Sequence, residues 1–201
     1  MTATRKELDI EFGPINENNV EQLRKINDAC FPLTYNDAFY KEVVKRKDEN
    51  LCKFAYFNGF VIGAICARVE PTQLKEGNPG NSTSKRIYIM TLGVLAAYRG
   101  RQVGHKLVQS VLDYYHKHTQ SSSTDSTSND VEDTVHQLSI SSERRQELSQ
   151  VTEILLHVQI SNTDAMRFYI DGFQFEKGDM IENYYKRIDP PHCYILLKKL
   201  S

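Results

Sequence analysis

Apolar residues recur at helical spacing at Val20, Leu23, Ile26 and Cys30 and stop at the turn-rich run "CFPLTYND", which predicts a helix followed by a turn. A short strand, Leu8 to Phe12, precedes it. Asp37 can cap a second helix over Ala38 to Lys47, before two strands within "CKFAYFNGFVIGAICARV" joined through Asn58-Gly59, a hairpin signal. A strand rich in β-branched and aromatic residues spans Lys85 to Val94. After it, Leu107, Val108, Val111, Leu112 and Tyr115 mark one face of an amphipathic helix. The apolar pattern resumes in the strand "EILLHVQI", a capped helix in "SNTDAMRFYIDGF" ending at Gly172, and strands near Phe175 to Ile181 and Cys193 to Leu200.

Two stretches interrupt this pattern. Residues 71–84 turn to Gly, Pro, Asn, Ser and Thr and predict a flexible loop. Residues 119–150 predict an insertion: "TQSSSTDSTSND" is too poor in apolar surface to offset its ordering entropy, and Val131 to Gln150 carry only a weak helical pattern. Within it "SERRQELS" is either a partner helix or, the preferred reading, a tethered polar segment, and "KRKDEN" reads as a solvated helix end. The order β, α, α, three strands, α, β, α, β, β predicts one domain over residues 1–201, with a mixed sheet and helices on both faces.

Charge narrows the function classes. With 25 Lys+Arg against 26 Asp+Glu, no global field draws the chain to nucleic acid or to a membrane. Cys30, Cys52, Cys66 and Cys193 form no C-x-x-C pair and read as free thiols. The first residues hold no apolar leader, so a soluble cytoplasmic or nuclear protein is expected, in which the sequon at Asn81 stays idle. His116 and His118 are two residues apart, do not share a helix face, and predict no metal site.

The candidate chemistry lies after the Lys85 to Val94 strand. The basic turn Tyr98-Arg99-Gly100-Arg101-Gln102-Val103-Gly104 opens a helix, an arrangement whose backbone N–H groups can hold a phosphate. Taken alone, it fits an ordinary strand-to-helix turn equally well. His157 alone is either a hydrogen-bonded core histidine or a base, Tyr88 is by default a packing aromatic, and "FPLTY" and "NYYKRI" read as a turn and a hairpin.

Read together, these segments resemble the GNAT (Gcn5-related) N-acetyltransferases, whose coenzyme loop follows Arg/Gln-x-x-Gly-x-Gly/Ala after a strand. "FPLTYNDAFY", "KFAYFN", "RIYIMTLG", "LHVQISN" and "NYYKRI" are similar, in order and content, to the N-terminal acetyltransferases of that family. The resemblance implies the acyl-CoA N-acyltransferase fold, an α/β (α+β) mixed sheet whose two central parallel strands, Arg86 to Val94 and Ile154 to Gln159, splay apart. It implies acetyl-CoA as cosubstrate, paired along Leu92, Gly93 and Val94, with its pyrophosphate over Arg99, Gly100, Arg101, Gln102, Val103, Gly104 and His105 and its thioester end near Asn162 and Tyr169. It makes His157 and Tyr88 the catalytic groups and puts oxyanion donors near Met90. Around the acceptor terminus it places Phe31, Pro32, Leu33, Tyr35, Met90, Tyr184, Tyr185 and Ile188, with Lys186 and Arg187 at the rim.

By this resemblance the reaction acetylates protein N-termini, preferring Met followed by a hydrophobic residue, with lysine acetylation as a secondary activity. NatA auxiliary and catalytic subunits at the ribosome are the implied partners. Two positions depart from the pattern. Ala97 replaces the usual Pro, and Gln102 occupies the motif's first Gly. A strained Gln102 costs on the order of 1–3 kcal/mol and is expected to weaken coenzyme binding. That departure keeps open an alternative, a weakly active or inactive subunit that retained the fold. An acetyltransferase of small amines or lysines is a further alternative.

Overall fold

The computed structural model describes residues 7–46, 48, 50–72, 84–119 and 141–200. The expected loop at 71–84 and the Ser/Thr-rich part of the insertion therefore fall almost wholly outside the described residues, as does Asn81.

Seven strands form one sheet: β1 (Glu11–Pro14), β2 (Cys52–Phe57), β3 (Phe60–Pro71), β4 (Lys85–Val94), β5 (Val151–Gln159), β6 (Glu176–Ile181) and β7 (Cys193–Lys199). Their order is β1-β2-β3-β4-β5-β7-β6, and only the β4–β5 pairing is parallel. Helices α1 (Val20–Cys30) and α2 (Asp37–Arg46) cover one face, where Leu23, Ile26, Tyr40 and Val43 pack on Phe54, Ala64 and Cys66. Helices α3 (Val103–Thr119), α4 (Ser142–Ser149) and α5 (Thr163–Phe173) contribute Leu107, Val111, Leu148, Tyr169 and Phe173 to the larger core on the other face. The hairpin turn is tight because Asn58 and Gly59 both take positive φ, 49° and 78°, as a two-residue turn between right-twisted strands requires.

Four expectations need correction. Asp37 does not cap α2 but is its first residue, and the side-chain oxygen of Asn36 accepts Phe39 N–H at 3.1 Å. The first strand starts three residues later than expected: Leu8 is buried but outside the ladder, and β1 runs to Pro14, tolerated because this is an edge strand. The helix expected to end at Gly172 continues to Phe173, and the left-handed C-cap is Gln174, at φ 59°. "SERRQELS" is not a loosely tethered segment. It forms α4, capped by the Ser141 hydroxyl accepting from Arg144 N–H and anchored by the fully buried Leu148.

Arg144 shows why. It pairs with Asp48 and Glu147 and donates to the Tyr114 hydroxyl at 3.4 Å, while Lys85 pairs with Glu147 at 3.2 Å. Asp48, in the run read as a solvated helix end, is thus half of a mostly buried ion pair; burial pushes its carboxyl up, against the opposing pull of Arg144. Burial would also raise Glu147, but its bonds from Arg144 and Lys85 hold it below the usual carboxylate range. We expect Arg144→Met to lower stability by about 1–3 kcal/mol, the cost of stranding charged hydrogen-bond partners, in urea unfolding. Since α4 adjoins the start of β5, chemistry at the far ends of the strands should be unchanged.

Candidate active site

β4 and β5 pair from Lys85/Val151 to Tyr88/Leu155 and then separate, although β4 continues to Val94 and β5 to Gln159. Just beyond the last pair, β4 carries a bulge: Ile89 faces Ala67 and Thr91 faces Cys66, leaving Met90 as the extra residue. The bulge reverses which side faces which core. Ile87 and Ile89 lie in the α3-side core, whereas Gly93 lies beneath α1, where a Cβ would come within 3.2 Å of Cys30 and Ile26. Leu92 and Val94 pack toward the α3 side.

The gap opens into a cavity of about 540 Å³ lined by Leu92, Gly93, Val94, Arg99, Gly100, Gln102, Val103, Gly104, His105, Asn162 and Tyr169, among others. This gathers the expected coenzyme residues except Arg101, which is not on the wall. Arg99 ties the loop to the strand, its Nε donating to the Val94 carbonyl at 2.9 Å. Helix α3 begins on the Gln102 carbonyl, which accepts Lys106 N–H at 2.9 Å, so the N–H groups of 103–105 have no intrahelical acceptor. An anionic group fits there, at the positive end of the helix.

Gln102 stands at φ 65°, in the left-handed region, beside Gly100 at φ 70°. Its side chain is exposed. The left-handed backbone is part of the fold itself, so its cost falls on folding. We expect Gln102→Gly to change acetyl-CoA affinity by less than about threefold in calorimetry. Stability should rise by no more than about 1 kcal/mol, since relief of roughly 1–2 kcal/mol of strain is offset by glycine's larger unfolded-state entropy.

A second cavity, about 460 Å³, lies on the α1/α2 side and shares Phe31, Pro32, Leu92, Asn162, Ala165 and Tyr169 with the first. Its wall holds Leu33, Tyr35, Met90, Tyr184, Tyr185 and Ile188, together with Tyr88 and His157. Lys186 and Arg187, expected at the rim, are exposed and lie off the wall. Burial, above all, pushes the Tyr35 hydroxyl up and that of Tyr185 up to about 12, so both remain neutral donors.

His157 and Tyr88 meet where the strands part. The Tyr88 hydroxyl is 3.1 Å from His157 Nδ1; the Tyr184 hydroxyl is 3.4 Å from the same nitrogen and 3.3 Å from the Tyr88 hydroxyl. The Tyr184 ring stacks on the imidazole at 4.6 Å, 19° from parallel. Burial first, and then nearby Arg86, hold His157 below its ordinary pKa, against the smaller opposing effect of Glu70. Burial also pushes Tyr88 far up, so it cannot ionise at neutral pH. The pair is a neutral imidazole with a neutral phenol, able to accept one proton.

The wall also includes Phe39, Arg68 and Gln159, which the sequence reading passed over. Phe39 follows Tyr35 at helical spacing, and its ring lies 4.6 Å from the Tyr35 ring, tilted by 34°, so the spacing signals the contact. Arg68 is inside a strand pattern and had none. Its guanidinium lies 5.3 Å from the Tyr88 ring centre and pairs with Glu42 at 3.3 Å and Glu70 at 2.9 Å, while Glu70 also pairs with Arg86 at 2.8 Å.

If His157 accepts the proton, kcat/KM falls on the acid side through a group titrating below about 6.5, a sign set by the lowered pKa. The acceptor's α-amine adds a second limb near about 8, so the log profile should steepen from slope one to slope two toward acid. In His157→Ala the lower limb should vanish and kcat should drop by about 10²- to 10⁴-fold.

Comparison with known proteins agrees with this geometry. Residues 20–131 match the model of the acetyltransferase (GNAT) family. The chain is 37% identical to N-alpha-acetyltransferase 50 of Danio rerio over 191 residues, covering 95% of this chain and 89% of the relative. It is 34% identical to the probable N-acetyltransferase san of Drosophila melanogaster, covering 95% and 81%. Among solved structures, Arabidopsis thaliana Naa50 in complex with the bisubstrate analogue CoA-Ac-MVNAL superposes with a TM-score of 0.70 at 33% identity, covering 96% of this chain and all of that one. A parted parallel strand pair, a helix N-terminus facing the gap and this similarity along nearly the whole chain give one conclusion: the protein belongs to the GNAT acetyltransferase family.

Proposed function

We propose that the chain transfers the acetyl group of acetyl-CoA to the N-terminal α-amine of proteins, preferring an initiator Met followed by a hydrophobic residue. One observation carries the reading: the neutral His157–Tyr88 pair lines an aromatic, apolar slot suited to a peptide end, and that slot shares Leu92, Asn162 and Tyr169 with a groove suited to an anionic coenzyme. The Met-Val start of the analogue held by the Arabidopsis relative supports the preference.

The chemistry favours this acceptor. An α-amine has a reference pKa of about 7.7–8 against about 10.4 for lysine, so supplying neutral lysine costs roughly 3 kcal/mol more. Lysine acetylation is then a secondary activity. The amine nitrogen attacks the thioester carbonyl, forming the C–N bond. Its proton passes through the Tyr88 hydroxyl or a water to His157. Charge developing on the carbonyl oxygen is met by backbone N–H at the Met90 bulge. The C–S bond breaks and the thiolate leaves, steadied by a hydrogen bond from Tyr169, whose hydroxyl burial keeps protonated and which lines both cavities; His157 releases its proton to water, and the thiolate takes one up from water.

As partners we propose protein N-termini and, by the family resemblance, NatA subunits at the ribosome, with the enzyme in the cytoplasm and the nucleus.

A thiol-release assay with acetyl-CoA tests the reading. Met-Leu peptides should exceed Ser-starting ones in kcat/KM by about 10- to 150-fold, the value of burying one large apolar side chain at roughly 1.5–3 kcal/mol. Folded protein that turns over no peptide would instead favour the subunit that retained only the fold.

A further inference from the structure

The loop 182–192 between β6 and β7 carries Tyr184 over His157, yet Tyr184 is 40% exposed and no core packing fixes it there. The loop is held in other ways. Tyr185 N–H donates to the Pro191 carbonyl at 2.8 Å, and Ile160 N–H to the His192 carbonyl at 3.1 Å. Two side chains complete the attachment among the described residues. Gln159 Nε2 donates to the Pro190 carbonyl at 2.8 Å, and Asn183 N–H donates to His192 Nδ1 at 3.2 Å.

These two bonds reach different ends of the loop. His192 fixes Asn183, which turns the chain at φ 54° immediately before Tyr184. Gln159 fixes the return segment, and it does so from β5, two residues beyond His157 and on the same face of the strand. One strand thus supplies both the imidazole and an anchor of the loop whose tyrosine covers it. A loop that shifts by even an ångström loses both the ring stack and the hydroxyl contact with Nδ1.

We propose that Gln159 and His192 are positioning residues of the acceptor site, which pin the 182–192 loop so that Tyr184 stays stacked on His157 and the acceptor slot keeps its shape. They act through Tyr184 and Tyr185 and touch no reacting atom. The bond from Asn183 N–H requires an unprotonated Nδ1 on His192, so an amide oxygen at that place can substitute for it and an alkyl group cannot.

The kinetic part of the test rests on the acetyl-transfer reading; a second part does not. The groups acting on the imidazole are Arg86 and Glu70, with the Tyr88 and Tyr184 hydroxyls in contact. Loss of the stack hydrates the ring, so NMR titration of labelled histidine should place His157 higher, toward its ordinary value, in His192→Leu and Gln159→Met. In His192→Asn it should titrate as in the parent. In steady-state kinetics the first two variants should raise the peptide KM by about threefold to tenfold, the scale of one neutral hydrogen bond, with a smaller change in kcat and an unchanged acetyl-CoA Kd. His192→Asn should restore the peptide KM. An unmoved His157 titration in both His192→Leu and Gln159→Met, failure of His192→Asn to restore, or a parallel loss of acetyl-CoA affinity would each overturn the proposal. A parent protein that acetylates no peptide defeats the acetyl-transfer reading alone, since the NMR titration still decides whether the loop is pinned.

Discussion

The structure depends on a pairing that stops. β4 and β5 share a ladder only as far as Tyr88 and Leu155, and each then keeps a partner on its outer side alone, β3 for β4 and β7 for β5. Backbone groups on the inner edges are left for a ligand to satisfy, which a buried strand pair cannot offer. The bulge at Met90 falls two residues past the last paired tyrosine and turns the rest of β4 so that Gly93 lies against α1. Coenzyme groove, acceptor slot and His157 all border this one opening.

An opening at one end needs closure at the other. Lys85, first residue of β4, donates its backbone N–H to the Gln150 carbonyl at 2.8 Å and pairs through its side chain with Glu147. Glu147 is tied to Arg144, and Arg144 to Asp48 beside β2. The two central strands are clamped where they start and free where they end. Along the paired stretch, Arg68, Glu70, Arg86 and Glu42 form a mixed-charge ladder behind Tyr88, so the effect of Arg86 on the imidazole is partly offset by Glu70. Burial then dominates, and His157 stays neutral and ready to accept a proton.

Much of the fold was legible in the chain. Dense β-branched and aromatic residues set β4 at Lys85 to Val94, the bounds expected, and the Asn-Gly turn and the Asn162 cap marked their elements. The slips have physical causes. Leu8 is apolar because it is buried, without being in a strand, and the mainly polar α4 is held by ion pairs and one leucine, which hydrophobic periodicity does not register. The bulge leaves no mark in a run that alternates well on either side of it. His157, Tyr88 and the slot residues were ordinary core candidates until the family resemblance singled them out. Arg68 and Gln159 became visible only in three dimensions, because each acts through a neighbour far along the chain.

The central claim is that the two cavities, which share Leu92, Asn162 and Tyr169, form one path to His157. A CoA-acetyl conjugate of a Met-Leu peptide, measured by calorimetry against CoA and the peptide separately, tests this directly. Joining the two ligands should tighten binding by about 10²- to 10⁴-fold over CoA alone, as effective concentration allows when both sites are filled at once. A conjugate that binds no tighter than CoA would contradict it.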